Sequence, residues 1–304
     1  MRRKSGGDDT PQLTTLGDWL HYAERRFRHA RLFFGHGTDN AHDEAAWLLL
    51  HVVRQFHADL SAALPRVLNA AQRRRARWLI EKRIASRKPL AYLLHEAWLG
   101  EHRFYVDERV VVPRSHIAEL LRNALAPWVR FPARVRGALD MCTGSGCLAV
   151  LLALAFPRAT VDAADVEASA LAVARRNVKA YGLQQRVRLL RSDLFDKLGR
   201  TRYDVIIANP PYVDAQVMDR LPSEYQREPR IALAGGRDGL AFVRRILSDT
   251  PGHLAPRGIL LVEIGNNRQA LERAYPMLPF VWLRTGAGGD HVFLLTRAQI
   301  PSAA

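Results

Sequence analysis

The stretch Val135-Arg136-Gly137-Ala138-Leu139-Asp140-Met141-Cys142-Thr143-Gly144-Ser145-Gly146-Cys147-Leu148 decides the fold. Its first half, Val135 to Met141, is a β-favouring run. Two closely spaced glycines then turn the chain, and an apolar segment from Leu148 to Phe156 follows, ended by Pro157. A strand, a glycine turn and a buried helix in that order form the first unit of a parallel α/β sheet. The alternation continues downstream. Thr160 to Ala164, Val187 to Arg191, Val205 to Ala208 and Gly258 to Ile264 read as strands, and Ala168 to Tyr181 and Gly239 to Asp249 as helices. Trp282 and Val292 to Leu295 close the series. Short connections between alternating elements predict a mainly parallel, doubly wound sheet.

Upstream the periodicity is helical. Leu16, Trp19, Leu20 and Ala23 recur at three-to-four spacing, and Asp43 to Val53 and Ala70 to Ser86 repeat the signal. Pro65 and Pro89 punctuate these segments. Farther on, Phe104, Val106 and Val110-Val111-Val112 favour strand with Asp107-Glu108 as a turn between them, so a hairpin is expected there. Pro113-Arg114-Ser115 precedes a helix that Ser115 is positioned to cap, with Ile117, Leu120 and Leu121 on its inner face. The predicted organisation is a disordered tail over residues 1–13, a small helical domain over 14–95, a β-hairpin linker over 96–112 and an α/β domain over 113–304.

Composition narrows the class. The 304 residues, 48% hydrophobic and 25% charged, suffice for one large domain and a smaller one. No run approaches the roughly 18 uninterrupted apolar residues of a membrane span. The start, Met1 to Asp9, lacks the apolar core of a secretory signal, so a cytoplasmic protein without membrane association is expected. Cys142 and Cys147 are the only cysteines, too few for a disulfide framework and a poor zinc site without clustered histidines. They read as packing residues rather than nucleophiles. The net charge is +15, with arginines dense in Arg73-Arg74-Arg75-Ala76-Arg77 and Lys82-Arg83. Such a surface reads either as a contact for RNA, through counterion release, or as a solvated helix face.

Ligands of a doubly wound sheet bind beyond the carboxyl ends of its strands, at the switch point. Gly144 and Gly146 fall there, where missing side chains let backbone approach a ligand. Asp140 ends the first strand, Asp165 the second and Ser192-Asp193 the third. Asp165 is suited to two ribose hydroxyls and Asp193 to an adenine amino group; the bland readings are a helix cap and a turn residue. The dinucleotide fingerprint needs a third glycine, which Gly146-Cys147-Leu148-Ala149 lacks, so a nucleoside cofactor without pyrophosphate, S-adenosylmethionine, fits better than NAD.

Asn209-Pro210-Pro211-Tyr212 leaves the strand Val205 to Ala208 at the same end. An amide nitrogen is a poor nucleophile because its lone pair is delocalised. A site that alkylates it has to hold the NH2 through acceptors, and the Asn209 side-chain oxygen and the Pro210 carbonyl supply two. Pro211 stiffens the loop and Tyr212 packs on the flat amide and excludes water. Catalysis is then mainly positioning and desolvation. The expected catalytic residues are Asn209, Pro210 and Tyr212.

On these residues the chain resembles the bacterial protein-(glutamine-N5) methyltransferases, the group that includes the release-factor methyltransferase. Within it, the likeness is greatest to members that modify large-subunit ribosomal protein three. The resemblance runs from about Thr14 and includes Val111-Val112-Pro113-Arg114-Ser115, Leu139 to Cys147, Arg191-Ser192-Asp193-Leu194-Phe195, Glu224-Tyr225-Gln226-Arg227-Glu228-Pro229, Gly235-Gly236-Arg237-Asp238-Gly239-Leu240 and the tail Gly288-Gly289-Asp290. It implies a helical substrate-binding domain, a hairpin and a class I (Rossmann-like) methyltransferase domain acting on a glutamine of a ribosomal protein, either free or in an assembling large subunit. It assigns cofactor binding to Asp140, Cys142, Gly144, Gly146, Asp165, Asp193 and Asn209. Substrate binding falls to Asn209, Pro210, Pro211 and Tyr212, with Pro113 and Arg114 in support. Glu167 and His116 depart from the pattern, where a small polar residue and a proline are usual, but neither is a proposed ligand. Two other readings stay open. The same tetrapeptide serves DNA or RNA adenine-N6 methyltransferases, and a non-catalytic RNA- or ribosome-binding protein could retain the fold.

Overall fold

A computed structural model describes residues 13–55, 59–286 and 288–301. The expectation of a disordered tail therefore lies, apart from Leu13, outside the described residues. The chain divides into two compact units, Met1–Leu94 and His95–Ala304.

The first unit is helical: α1 (Leu16–His29), α2 (Ala41–Val53), α3 (Leu60–Ala63), α4 (Ala70–Ser86) and α5 (Leu90–Leu94). Its helix starts are written in the sequence. Thr15 accepts from the Asp18 amide while the Asp18 side chain bonds back to the Thr15 amide, and Asn69 and Gln72 do the same for α4. Leu16, Trp19, Leu20 and Ala23 are all buried, as their spacing predicts. The core also holds an ion pair, Arg83 Nε to Glu44 Oε1 at 2.8 Å, both residues buried.

The second unit opens with a hairpin, β1 (Ala97–Leu99) against β2 (His102–Phe104). This corrects the place of the expected hairpin: a turn does follow Asp107, whose carbonyl accepts the Val110 amide at 3.2 Å, but it joins no paired strands. The Asp107 carboxylate accepts the Arg109 amide at 3.1 Å, the Arg109 guanidinium at 2.8 and 2.6 Å and the Tyr105 hydroxyl at 2.9 Å. Those bonds fold residues 105–109 locally, and Val110–Val112 runs on outside any strand. Next come α6 (Ile117–Leu121), β3 (Gly137–Met141), α7 (Cys147–Ala155), β4 (Thr160–Asp165), α8 (Ala168–Ala180), β5 (Val187–Arg191), β6 (Tyr203–Ala208), α9 (Ala215–Met218) and α10 (Ala241–His253). The unit ends with β7 (Leu254–Glu263), α11 (Arg268–Ala274), β8 (Val281–Thr285) and β9 (Gly288–Thr296).

Seven strands form one sheet in the order β5-β4-β3-β6-β7-β9-β8. The first five run parallel, and β9 is antiparallel to both of its neighbours. Apolar layers cover both faces, one centred on α7 residues such as Val150 and Leu152, the other on α10 residues such as Val243 and Ile246. The chain travels outward from β3 to β4 to β5, then returns to lay β6 beside β3. That reversal is the switch point. It pairs Met141 with Ala208, so the glycine turn and Asn209 leave the sheet side by side.

Candidate active site

A cavity of about 360 Å³ opens at this end of the sheet, within the roughly 300–1,000 Å³ usual for small-molecule and cofactor pockets. The glycine turn forms one wall, Asp165 and Asp193 a second, and Asn209 to Tyr212 a third, with Pro113 and Arg114 also lining it. A side chain built on Gly144, at φ +53°, would meet nothing within 4 Å and would project into free space. Asp165 fixes that loop: one oxygen accepts the Gly144 amide at 2.8 Å and the other the Glu167 amide at 2.9 Å. Glu167 itself precedes α8, so Asp165 is not the helix cap. A carboxylate has about four lone-pair sites, which leaves Asp165 capacity for ligand hydroxyls.

Two expected cofactor residues stand behind the cavity wall rather than on it. Asp140 is buried, accepts the Thr143 hydroxyl at 2.5 Å, and burial pushes its carboxyl up to about 7. It shapes the turn from beneath. Gly146, at φ +77°, is a packing glycine: a Cβ there would lie 2.9 Å from Ala174 Cβ on α8. Cys142 does line the cavity, and desolvation holds its thiol well above the ordinary value, so it stays neutral. Asp193 is partnered by Arg245 of α10, whose Nη1 lies 3.0 and 3.1 Å from the two carboxylate oxygens.

The tetrapeptide is held by residues far away in sequence. Asn267 Nδ2 donates to the Tyr212 carbonyl at 2.8 Å. Gly235, Gly239 and Gly265 make room for the tyrosine: added Cβ atoms would come within 2.6 Å of its Cα, 2.5 Å of its carbonyl oxygen and 2.6 Å of its ring, respectively. Facing it, residues 112–116 hang on two buried carboxylates. Glu228 accepts the Val112 amide at 2.8 Å and grips the Arg114 guanidinium at 2.7 Å through each oxygen. Burial would lower the Arg114 pKa, but the Glu228 charge outweighs it and holds the guanidinium firmly protonated. Glu263 Oε2 accepts the Ser115 hydroxyl at 2.6 Å and the His116 amide at 2.9 Å. Ser115 Oγ in turn accepts the Ile117 amide at 3.2 Å, but the cap position of α6 falls to His116, whose side chain makes no capping bond, which corrects the expected Ser115 cap.

Burial pushes the Glu263 carboxyl from an ordinary 4.5 up to about 6, only partly offset by Ser115 and His116. A carboxyl raised on folding stabilises the protein fully below its unfolded value and loses that contribution as pH rises through the folded one. Between pH 4.5 and 6, this group is therefore expected to cost about 2 kcal/mol as it ionises. Unfolding titrations of wild type and Glu263→Gln should diverge across that window; parallel profiles would contradict it.

Sequence reasoning missed Arg245, Glu228, Glu263 and Asn267. Glu228 lay within a quoted stretch but had no assigned role, and nothing local marks Asn267 as a partner of Tyr212.

Two family models match. The methyltransferase small domain covers residues 120–224 and the PrmC N-terminal domain residues 18–94. A ribosomal protein uL3 glutamine methyltransferase from Neisseria meningitidis is 52% identical over 95% of both chains. One from Bordetella pertussis is 53% identical over 95% of this chain and 97% of that protein. The chain belongs to the ribosomal protein uL3 glutamine methyltransferase family. This methyltransferase also shares its fold with the hMettl16 catalytic domain solved in complex with the MAT2A 3'UTR hairpin 1. That likeness has a TM-score of 0.51 at 16% identity, over 84% of this chain and 93% of that chain. The expected enzyme class, and the class I α/β domain preceded by a helical one, are thus what the methyltransferase has. Among its described residues no helix is long and apolar enough to cross a membrane.

Proposed function

We propose that the protein methylates the side-chain amide nitrogen of a glutamine in ribosomal protein uL3, using S-adenosylmethionine, in the cytoplasm where ribosomes assemble. The observation that carries this reading is the Met141–Ala208 pairing, which sets a nucleoside-sized cavity beside Asn209-Pro210-Pro211-Tyr212. The residues present fit the cofactor: an open glycine at 144 for close approach and a loop-bound carboxylate at 165 with acceptor capacity to spare. When bound, it supplies an electrophilic methyl on a sulfonium sulfur.

The chain's own residues do the rest. Asn209 and the Pro210 carbonyl accept the two N–H bonds of the target amide and orient its nitrogen, Pro211 fixes the loop, and the Tyr212 ring walls out water. Burial pushes the Tyr212 hydroxyl up to about 12, so it stays protonated and takes no part as a base. Arg114, clamped by Glu228, holds the facing loop. Asp193 serves the adenine end, oriented by Arg245. The net charge of +15 suits a substrate surrounded by ribosomal RNA.

The test is intact and fragment mass spectrometry of purified uL3 after incubation with enzyme and cofactor, beside a DNA control. A single methyl on a glutamine is expected; methylated adenine with unmodified protein would overturn the reading. Asp165→Ala should weaken cofactor binding by about 1–3 kcal/mol, the cost of a lost polar partner. An unchanged dissociation constant in calorimetry would leave Asp165 as a loop anchor only.

A further inference from the structure

In a parallel sheet every loop that precedes a strand emerges at the same edge, here the edge opposite the cavity. Arginines gather there. Arg158 precedes β4, Arg136 precedes β3, Arg200 and Arg202 precede β6, and Arg257 lies in the first residues of β7; all are exposed. Those four strands are consecutive neighbours in the sheet. The contacts confirm the adjacency: the Thr160 amide donates to the Arg136 carbonyl at 2.9 Å, and Tyr203 pairs with Leu254. Neighbouring strands lie about 4.8 Å apart, so the row extends roughly 14 Å across three gaps.

The guanidinium groups at this edge meet rings and carbonyls. Arg130 and Arg134 stand 5.4 and 4.6 Å from the ring centroid of Phe131, which is half exposed and lies in the segment leading into β3. Arg202 Nη1 donates to the Leu254 carbonyl at 3.2 Å. Asp204, an acid at this edge, turns its carboxylate to the Arg136 and Gly137 amides at 2.7 and 3.1 Å.

We propose that this edge is a second functional surface, a binding face for RNA. The row Arg158-Arg136-Arg202-Arg257 follows the phosphate backbone, and Phe131, in the segment that leads into Arg136 and β3, offers a stacking platform. A line of cations with aromatic rings alongside is the arrangement that binds single-stranded nucleic acid without reading its sequence. An anionic membrane is the weaker match, because the arginines sit on loop ends of a sheet and not on the polar face of an amphipathic helix. The surface lies away from the cavity, so RNA bound there leaves the methyl-transfer site open.

The experiment uses the full chain and needs no methyl transfer, so its failure is separate from any failure of the substrate assignment. Binding of a fluorescent RNA hairpin with a single-stranded tail is followed by anisotropy across a salt series. The comparison is wild type against the triple variant Arg136→Gln, Arg158→Gln, Arg257→Gln, and against Arg73→Gln, Arg74→Gln, Arg75→Gln on α4. The first variant should weaken binding at least tenfold and reduce the slope of log K against log salt by about two, three phosphate contacts at roughly 0.7 each. Its circular dichroism spectrum and urea midpoint should match wild type, which reports that it folds. Phe131→Ala should weaken binding without altering the salt slope. Affinity retained by the sheet-edge variant, loss confined to the α4 variant, or binding to phosphatidylglycerol vesicles but not to RNA would each overturn the proposal.

Discussion

Asn209→Ala should lower turnover on the order of 10²–10³-fold, the range found when one preorganised polar contact to a reacting group is removed. Its cofactor affinity should be almost untouched. Gly144, Asp165 and Asp193 line the cavity, and the loop at 144 is fixed by Asp165. The tetrapeptide stands on the adjacent strand, held by Asn267 and the glycines around Tyr212. Removing one side-chain amide leaves those supports intact. What is lost is an acceptor needed most when the target nitrogen turns its lone pair toward the methyl, so the effect belongs in kcat rather than in KM. Single-turnover kinetics with saturating cofactor separate the two. Wild-type turnover by the variant would remove the amide clamp from the mechanism.

The second large effect concerns stability. Glu228→Ala strips the partner from Arg114 and leaves a largely desolvated guanidinium without its carboxylate, with an expected cost of about 3–5 kcal/mol. The Val112 amide loses its acceptor in the same step. Replacing both members, Arg114→Met with Glu228→Leu, should recover most of that loss, because no buried charge is then left alone. It should not recover activity, since the loop would no longer present its charged side chain at the cavity. Urea midpoints at constant m-value test the stability half, and methyl transfer the other. A Glu228→Ala variant within about 1 kcal/mol of wild type would mean that water solvates Arg114 freely.

Most of the architecture could be read from the residues because it rests on local patterns. Val187 to Arg191 alternates with helices that end where glycine or proline must end them, and β5 has those bounds. Other boundaries moved for tertiary reasons. β7 begins at Leu254 rather than Gly258 because its early residues pair with the start of β6 across a register shift at Tyr203 and Val205. α10 begins at Ala241, since Gly239 at φ +76° precedes it, and runs past Asp249 to His253 with Pro251 tolerated in its last turn. The hairpin falls earlier than expected because valines favour strand by their shape alone, and Val110-Val111-Val112 forms no strand among the described residues.

The candidate site divides in the same way. Motif residues such as Gly144, Asp165 and Asn209 were visible because their spacing from strand ends is fixed by the fold. Their supports were not: Glu228 lies 114 residues from Arg114, Glu263 148 from Ser115, and Asn267 55 from Tyr212. Gly146 shows a subtler limit. Two glycines of one motif answer to different neighbours, one to open space and one to Ala174, and only their packing in the fold separates them.

One bond network has a bearing on protein engineering. The Asn177 side chain accepts the Tyr105 amide at 2.8 Å and donates to the Tyr105 carbonyl at 2.9 Å and the Ser145 carbonyl at 2.8 Å. A single amide thus staples the chain just after the hairpin to the glycine turn. Chimeras that exchange the helical N-terminal units of relatives should be spliced upstream of Ala97, carrying the native hairpin with the α/β unit. A junction between Phe104 and Pro113 would graft foreign backbone onto Asn177 and misalign the glycine turn from behind.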